Sequence, residues 1–217
     1  AGGMMAFDWT AWAGVALTLI GSFAVFLLNS EKEVQPRLIA YMIVFGGVGL
    51  VFRRSFSTQL VFATVLTGTI SAVILGAPNF SRPFRFPAWM SRSVLLMRAL
   101  IGLIFAIAAW VYLPRFANWL PIVTETLLSS MLIFVFGLLT FGLGTRLIDR
   151  FFGLLFLTQG FLMMYVSLEK STAVFGFLLF FELALALLGS YCLTNEEGEG
   201  ERDSSDEADG RESIGGE

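Results

Sequence analysis

The sequence predicts an all-α integral membrane protein of about seven transmembrane helices, with its N-terminus outside and its C-terminus cytoplasmic. Three observations carry that expectation. Hydrophobic residues make up 56% of the chain and charged ones 14%, where a soluble domain carries about 25% charged residues. Mean hydropathy is +0.78. The apolar residues fall in seven continuous runs rather than in the alternation of a membrane β-barrel.

The runs cover residues 9–29, 38–52, 55–76, 94–113, 126–145, 151–168 and 171–195. Most reach the ~20 residues that a spanning helix needs. The second is short, so either it extends into its flanks or it is re-entrant and the count falls to six. Charged or proline-bearing breaks separate the runs. Lys32, Arg37, Arg82, Arg85, Arg92, Arg146 and Arg150 fall on one side, against Arg53, Arg54, Arg115 and Lys170 on the other. This basic bias sets the orientation. No Lys or Arg precedes the first run, which argues against a cleaved signal peptide. A prokaryotic or organellar inner (plasma) membrane is the expected location.

Two regions emerge, a polytopic membrane domain over 1–195 and a disordered acidic tail over 196–217. The tail holds ten acids against Arg202 and Arg211, so the −3 net charge of the chain hides a body of +5. With Ile214 as its only large apolar residue, the tail cannot bury enough surface to fold alone. Between the third and fourth runs, Pro78, Pro83 and Pro87 alternate with Phe80, Phe84, Phe86 and Trp89. Arg82, Arg85, Trp89 and Arg92 suit the lipid headgroup layer, where rings anchor and cations meet anionic lipid, or a partner subunit. Arg98 stands a few residues inside the fourth run, near enough to its end to snorkel.

Several chemistries are excluded. Without histidine, the chain supplies no imidazole for haem, copper or a proton relay. Cys192 is the only cysteine, so no intrachain disulfide forms. Lys32 and Lys170 lie in loops, which removes a retinal-type buried lysine. Nucleotide loops, nucleophile elbows and zinc spacings are absent. The sequence therefore points to no catalytic residue, no metal, no cofactor and no nucleic-acid partner. Its expected partners are the lipid bilayer and other integral membrane subunits.

Glu182 is the one charge in the last run, near its middle. At bilayer depth a charge costs about 2.5–3.5 kcal/mol on insertion scales, so such groups face protein and serve a purpose. Ala186, Gly189 and Ser190 share its helical face and allow another helix to approach. Depth matching nominates Gln159, beside Thr158 on the sixth run. It also nominates Thr67 on the third, where Thr64, Thr67 and Ser71 form one stripe. One reading makes Glu182 a proton-exchanging carboxyl with Gln159, Thr158 and Thr67 lining its path. The other makes it a hydrogen-bond clamp between helices, about 0.6–2 kcal/mol in strength. Asp149, in the Thr145–Arg150 turn, is expected to pair with Arg146 or Arg150.

The stretch from Phe136 to Gly160, with Arg146, Gly153, Thr158, Gln159 and Gly160, resembles a helix-turn-helix of a known superfamily. Its members are the K-type subunit of respiratory complex I, the C subunit of Mrp-type cation/proton antiporters and the E component of hydrogenase-4-type complexes. Phe181-Glu182-Leu183-Ala184 is similar to the K-type third helix, whose glutamate lies in a proton-transfer path. The resemblance implies a membrane subunit of a proton-translocating complex, with redox cofactors on other chains. It covers under half the chain, and the K-type second-helix glutamate falls near Leu155. The alternatives are a non-conducting accessory or assembly subunit, or a small standalone transporter. Arg150 to Gly160 also resembles the first helix of DoxX-like membrane proteins. A weaker internal similarity pairs 51–75 with 142–166 through Leu66-Thr67 and Leu157-Thr158.

Overall fold

The computed structural model describes residues 9–28, 34–77, 92–169 and 171–212. Among them are seven helices and no strand: α1 Trp9–Leu27, α2 Val34–Ser55, α3 Thr58–Gly76, α4 Arg92–Ala117, α5 Thr124–Leu143, α6 Leu147–Leu168 and α7 Thr172–Glu212. All seven are long and apolar enough to cross a membrane, α7 through Asn195. An apolar run in lipid closes its backbone hydrogen bonds within itself, which is why these stretches become helices.

Helix α2 is 22 residues long instead of the 15 of its apolar run. Pro36 sits in its first turn, where a missing N–H costs nothing. Arg37 belongs to this helix and not to a loop, because an acid on α6 neutralises it. The second segment is one unbroken helix, long and apolar enough to cross a membrane. The backbone of α7 also continues helically to Glu212, through the stretch expected to be disordered. Extending an existing helix needs no new nucleus, and Glu, Asp and Arg tolerate helical backbone.

Helix α1 runs antiparallel to α2, and α5 to α6. A methyl group on Gly14 would strike the Gly47 carbonyl, and one on Gly21 would strike that of Ala40. Gly137 and Gly160 meet the backbones of Gly153 and Phe134 in the same manner. These contacts press α1 on α2 and α5 on α6, the two most intimately packed pairs. Small residues matter here because apolar surface gains nothing by leaving lipid; close backbone approach supplies dispersion instead.

The bundle has two layers, α1–α2–α3 and α5–α6–α7. Helix α1 lies on α5, where Thr18 donates a 3.4 Å hydrogen bond to Ser129 and Phe23 meets Phe136 edge-on. Helix α3 lies on α7, with Leu75 against Gly189. Between these contacts α2 faces α6 across large rings: Tyr41 stacks on Phe156 at 5.2 Å and meets the edge of Phe152 at 5.6 Å. Phe45 completes the cluster by lying on Gly68 of α3.

Helix α4 stands outside the layers. It touches α1 and α5 through Gly102, which meets Phe23 and Phe136, and through Trp110 against Trp12. Only 11% of its spanning window is buried, against 61% for α5 and α6. Leu96, Leu100, Leu103, Ile107 and Val111 face outward. The similarity of 51–75 to 142–166 pairs α3 with α6, which lie in different layers.

Candidate functional site

Three charged side chains are buried among the described residues, Arg37, Asp149 and Glu182. All three belong to the space between the layers.

Arg37 and Tyr41 are four residues apart on α2 and so share one face. On α6, Asp149, Phe152, Phe156 and Gln159 lie along one inward stripe. Arg37 Nη1 donates to Asp149 Oδ1 at 2.5 Å, and its guanidinium sits 5.0 Å from the centre of the Phe152 ring. The other oxygen of Asp149 accepts the Arg146 backbone N–H at 3.3 Å, capping α6. The pairing expected with Arg146 or Arg150 is therefore corrected. The ion-pair partner comes from α2, more than a hundred residues away, while Arg146 contributes its main chain.

Glu182 has no exposed surface. Its neighbour is Tyr41, whose hydroxyl donates to Oε1 at 3.5 Å, a long bond that connects α2 to α7. Among the described residues, Oε2 accepts no hydrogen bond, and the Gln159 amide and the Ser71 hydroxyl make none. Gln159 is fully buried, as expected of a mid-membrane polar group, but no hydrogen bond joins it to Glu182. The Thr158 hydroxyl donates to the Leu154 carbonyl at 3.0 Å. Thr67 is buried on α3 at 8% exposure.

The packing fixes the level of these groups. Gly189 meets both Leu75 of α3 and Phe151 of α6. Seven residues is two helical turns, about 10.5 Å of rise. Glu182 thus shares a level with Thr67, Gly68 and Ser71 on one side and with Thr158 and Gln159 on the other. Phe45 on Gly68 brings α2 to the same level, and Tyr41 below it reaches the carboxyl. The depth matching in the sequence is sound. What it missed is Tyr41, although its spacing from Arg37 was a usable signal.

A cavity of about 280 Å³ opens where the N-terminal ends of α3 and α7 meet, lined by Ser57, Leu60, Glu169, Ser171, Thr172 and Phe175, among others. Thr172 is ten residues from Glu182, about 15 Å along α7. At the opposite end Arg98 donates to the Leu143 carbonyl at 3.4 Å, tying α4 to the end of α5. Arg82, Arg85 and Trp89 lie outside the described residues, and of Arg92 only the backbone is described, at the start of α4.

Comparison of the chain with protein-family models, curated proteins and solved structures finds no match. The interior chemistry stands on its own. Between the layers lies one compensated ion pair, one carboxyl with a single weak partner, and neutral oxygens at its level.

Proposed function

We propose that this chain is a membrane-spanning subunit of an ion-translocating complex of the hydrogenase, complex I or antiporter type. Glu182 is the group that loads and releases the ion, a proton in the simplest case. The observation that carries this reading is the isolation of its carboxyl. A structural carboxyl in an apolar interior is normally surrounded by donors, because an unpaired one costs several kcal/mol. Glu182 has one long hydrogen bond and a free Oε2. Such a group is neutralised by what it carries.

Tyr41 holds the carboxyl in place without compensating its charge. The cavity beside Glu169 provides the approach from the α7 N-terminal side. On the other side, the Phe152 and Phe156 rings separate Glu182 from the Arg37–Asp149 pair. Ion release there requires these rings to move. The outward face of α4 fits lipid or a neighbouring subunit, and the resemblance to complex I and antiporter subunits supports the second.

A second reading rests on the Tyr41–Glu182 bond itself, which links the two layers as a clamp. Glu182→Gln separates the two, because Gln keeps the hydrogen bond and loses the exchangeable proton. In sealed native-membrane vesicles with a pH-sensitive dye, the carrier reading expects normal assembly and lost proton movement. Normal proton movement with normal assembly would sink it. Tyr41→Phe is expected to slow proton movement while sparing assembly, since that bond is worth about 0.5–1.5 kcal/mol at most.

A further inference from the structure

We propose that a groove between α4, α5 and α6, separate from Glu182 and independent of its role, holds one acyl chain of an anionic membrane phospholipid whose headgroup sits on Arg115. The groove encloses about 240 Å³ in the half of the bundle where α4 ends and α5 begins. Buried Leu127 and Ser130 form its floor, and the exposed rings of Phe116, Phe134 and Phe161 form its lips.

The walls specify an apolar occupant. Among the described residues Ser130 is the only polar side chain on them, and its hydroxyl is already spent on the Leu127 carbonyl at 2.9 Å. Water or a polar ligand needs several partners and finds none there. Met131 and Met164 also line the groove, and unbranched thioethers adapt to a flexible chain. Size separates a hydrocarbon chain from a helix. From Leu127 to Val135 the groove follows α5 for eight residues, about 12 Å of rise. A partner's spanning helix would run the full ~30 Å of the hydrocarbon core, whereas the groove stays within one leaflet of about 15 Å. Its volume over that length gives a cross-section of about 20 Å². That admits a single extended chain and not a helix, which is about 10–12 Å across.

Charge selects the headgroup. The end of the groove nearest the α4–α5 connection lies among exposed Tyr112 and Trp119, residues that mark the headgroup layer. Tyr112 and Phe116 stand four residues apart and share one face of α4. The Arg115 guanidinium lies 5.5 Å from the centre of the Tyr112 ring, which holds the cation beside the lip that Phe116 forms. No acid among the described residues pairs with Arg115. A lipid phosphate at that depth supplies the missing anion while its chain fills the groove below.

Photo-crosslinking provides the test. The full chain is reconstituted in phosphatidylcholine vesicles with a trace of phosphatidylglycerol that carries a diazirine on one acyl chain. After irradiation the labelled residues are mapped by mass spectrometry. Labels are expected to concentrate on Met131, Phe161 and Met164, and to fall there about fivefold in Arg115→Gln, the factor one surface cation is worth against anionic lipid. Phosphatidylcholine carrying the same group is expected to label these residues several-fold less. Met131→Trp fills the groove and is expected to abolish its labelling, while Leu103→Trp on the outward face of α4 leaves it unchanged. Arg115→Gln alters only an exposed side chain, so it decides the matter even where Met131→Trp fails to fold. Labels spread evenly over Leu96, Leu103 and Ile107 as well as the groove are ordinary surrounding lipid and overturn the proposal. Equal labelling of the groove by both lipids, or in the native chain and Arg115→Gln, overturns it too, as does crosslinking of the groove to a second copy of the chain in place of lipid.

Discussion

Replacing Asp149 with alanine removes the only acid among the described residues that pairs with Arg37 in the bundle interior. The ion pair is 2.5 Å long, and its partners are 2% and 0% exposed. Arg37 Nε and Nη2 have no other protein partner, so without Asp149 the whole guanidinium becomes an uncompensated buried charge. Breaking such a pair from one side costs about 3–5 kcal/mol. Asp149 also caps α6 through the Arg146 N–H, and losing a cap adds about 1 kcal/mol. The Phe152 ring keeps its cation–π contact with Arg37 in both forms, so that contact drops out of the difference. The expected loss is therefore about 4–6 kcal/mol. Reversible unfolding in mixed detergent micelles measures it, with Arg37→Met and the double substitution Arg37→Met/Asp149→Leu completing a cycle. The double variant is expected to recover most of the loss, because an apolar pair of similar volume removes both desolvation penalties. A loss below about 1 kcal/mol for Asp149→Ala, or a double variant no better than the single, would refute the view that this pair compensates itself.

The glycines give an opposite-signed pair of predictions. Gly68→Ala would drive its methyl into the Phe45 ring and is expected to cost about 1–3 kcal/mol, relieved by Phe45→Leu. Gly46→Ala meets nothing within 4 Å and is expected to stabilise by up to about 1 kcal/mol, since alanine is the better helix former; the same unfolding assay decides both. Orientation is checked with trypsin on sealed vesicles. Cleavage after Arg202 or Arg211 is expected in inverted vesicles and not in right-side-out ones, and the reverse pattern would overturn a cytoplasmic tail.

The sequence alone determined the helical class, the seven apolar runs and the singularity of Glu182. These are properties of local composition. A run of about 20 apolar residues closes its own backbone hydrogen bonds whatever surrounds it, and a lone acid in such a run is visible by its cost. Depth along each helix was legible too, because rise per residue is constant, which is why Gln159 and Thr67 fall at the level of Glu182. Only the tertiary structure decided which side chains meet across that level. Tyr41 reaches Glu182 from a helix 141 residues away in the chain, and Arg37 reaches Asp149 across 112. Rotation of each helix about its axis is set by where glycines allow close approach and where rings must be accommodated. That choice moved Arg37 from a supposed loop into the core, lengthened α2 and freed one oxygen of Glu182.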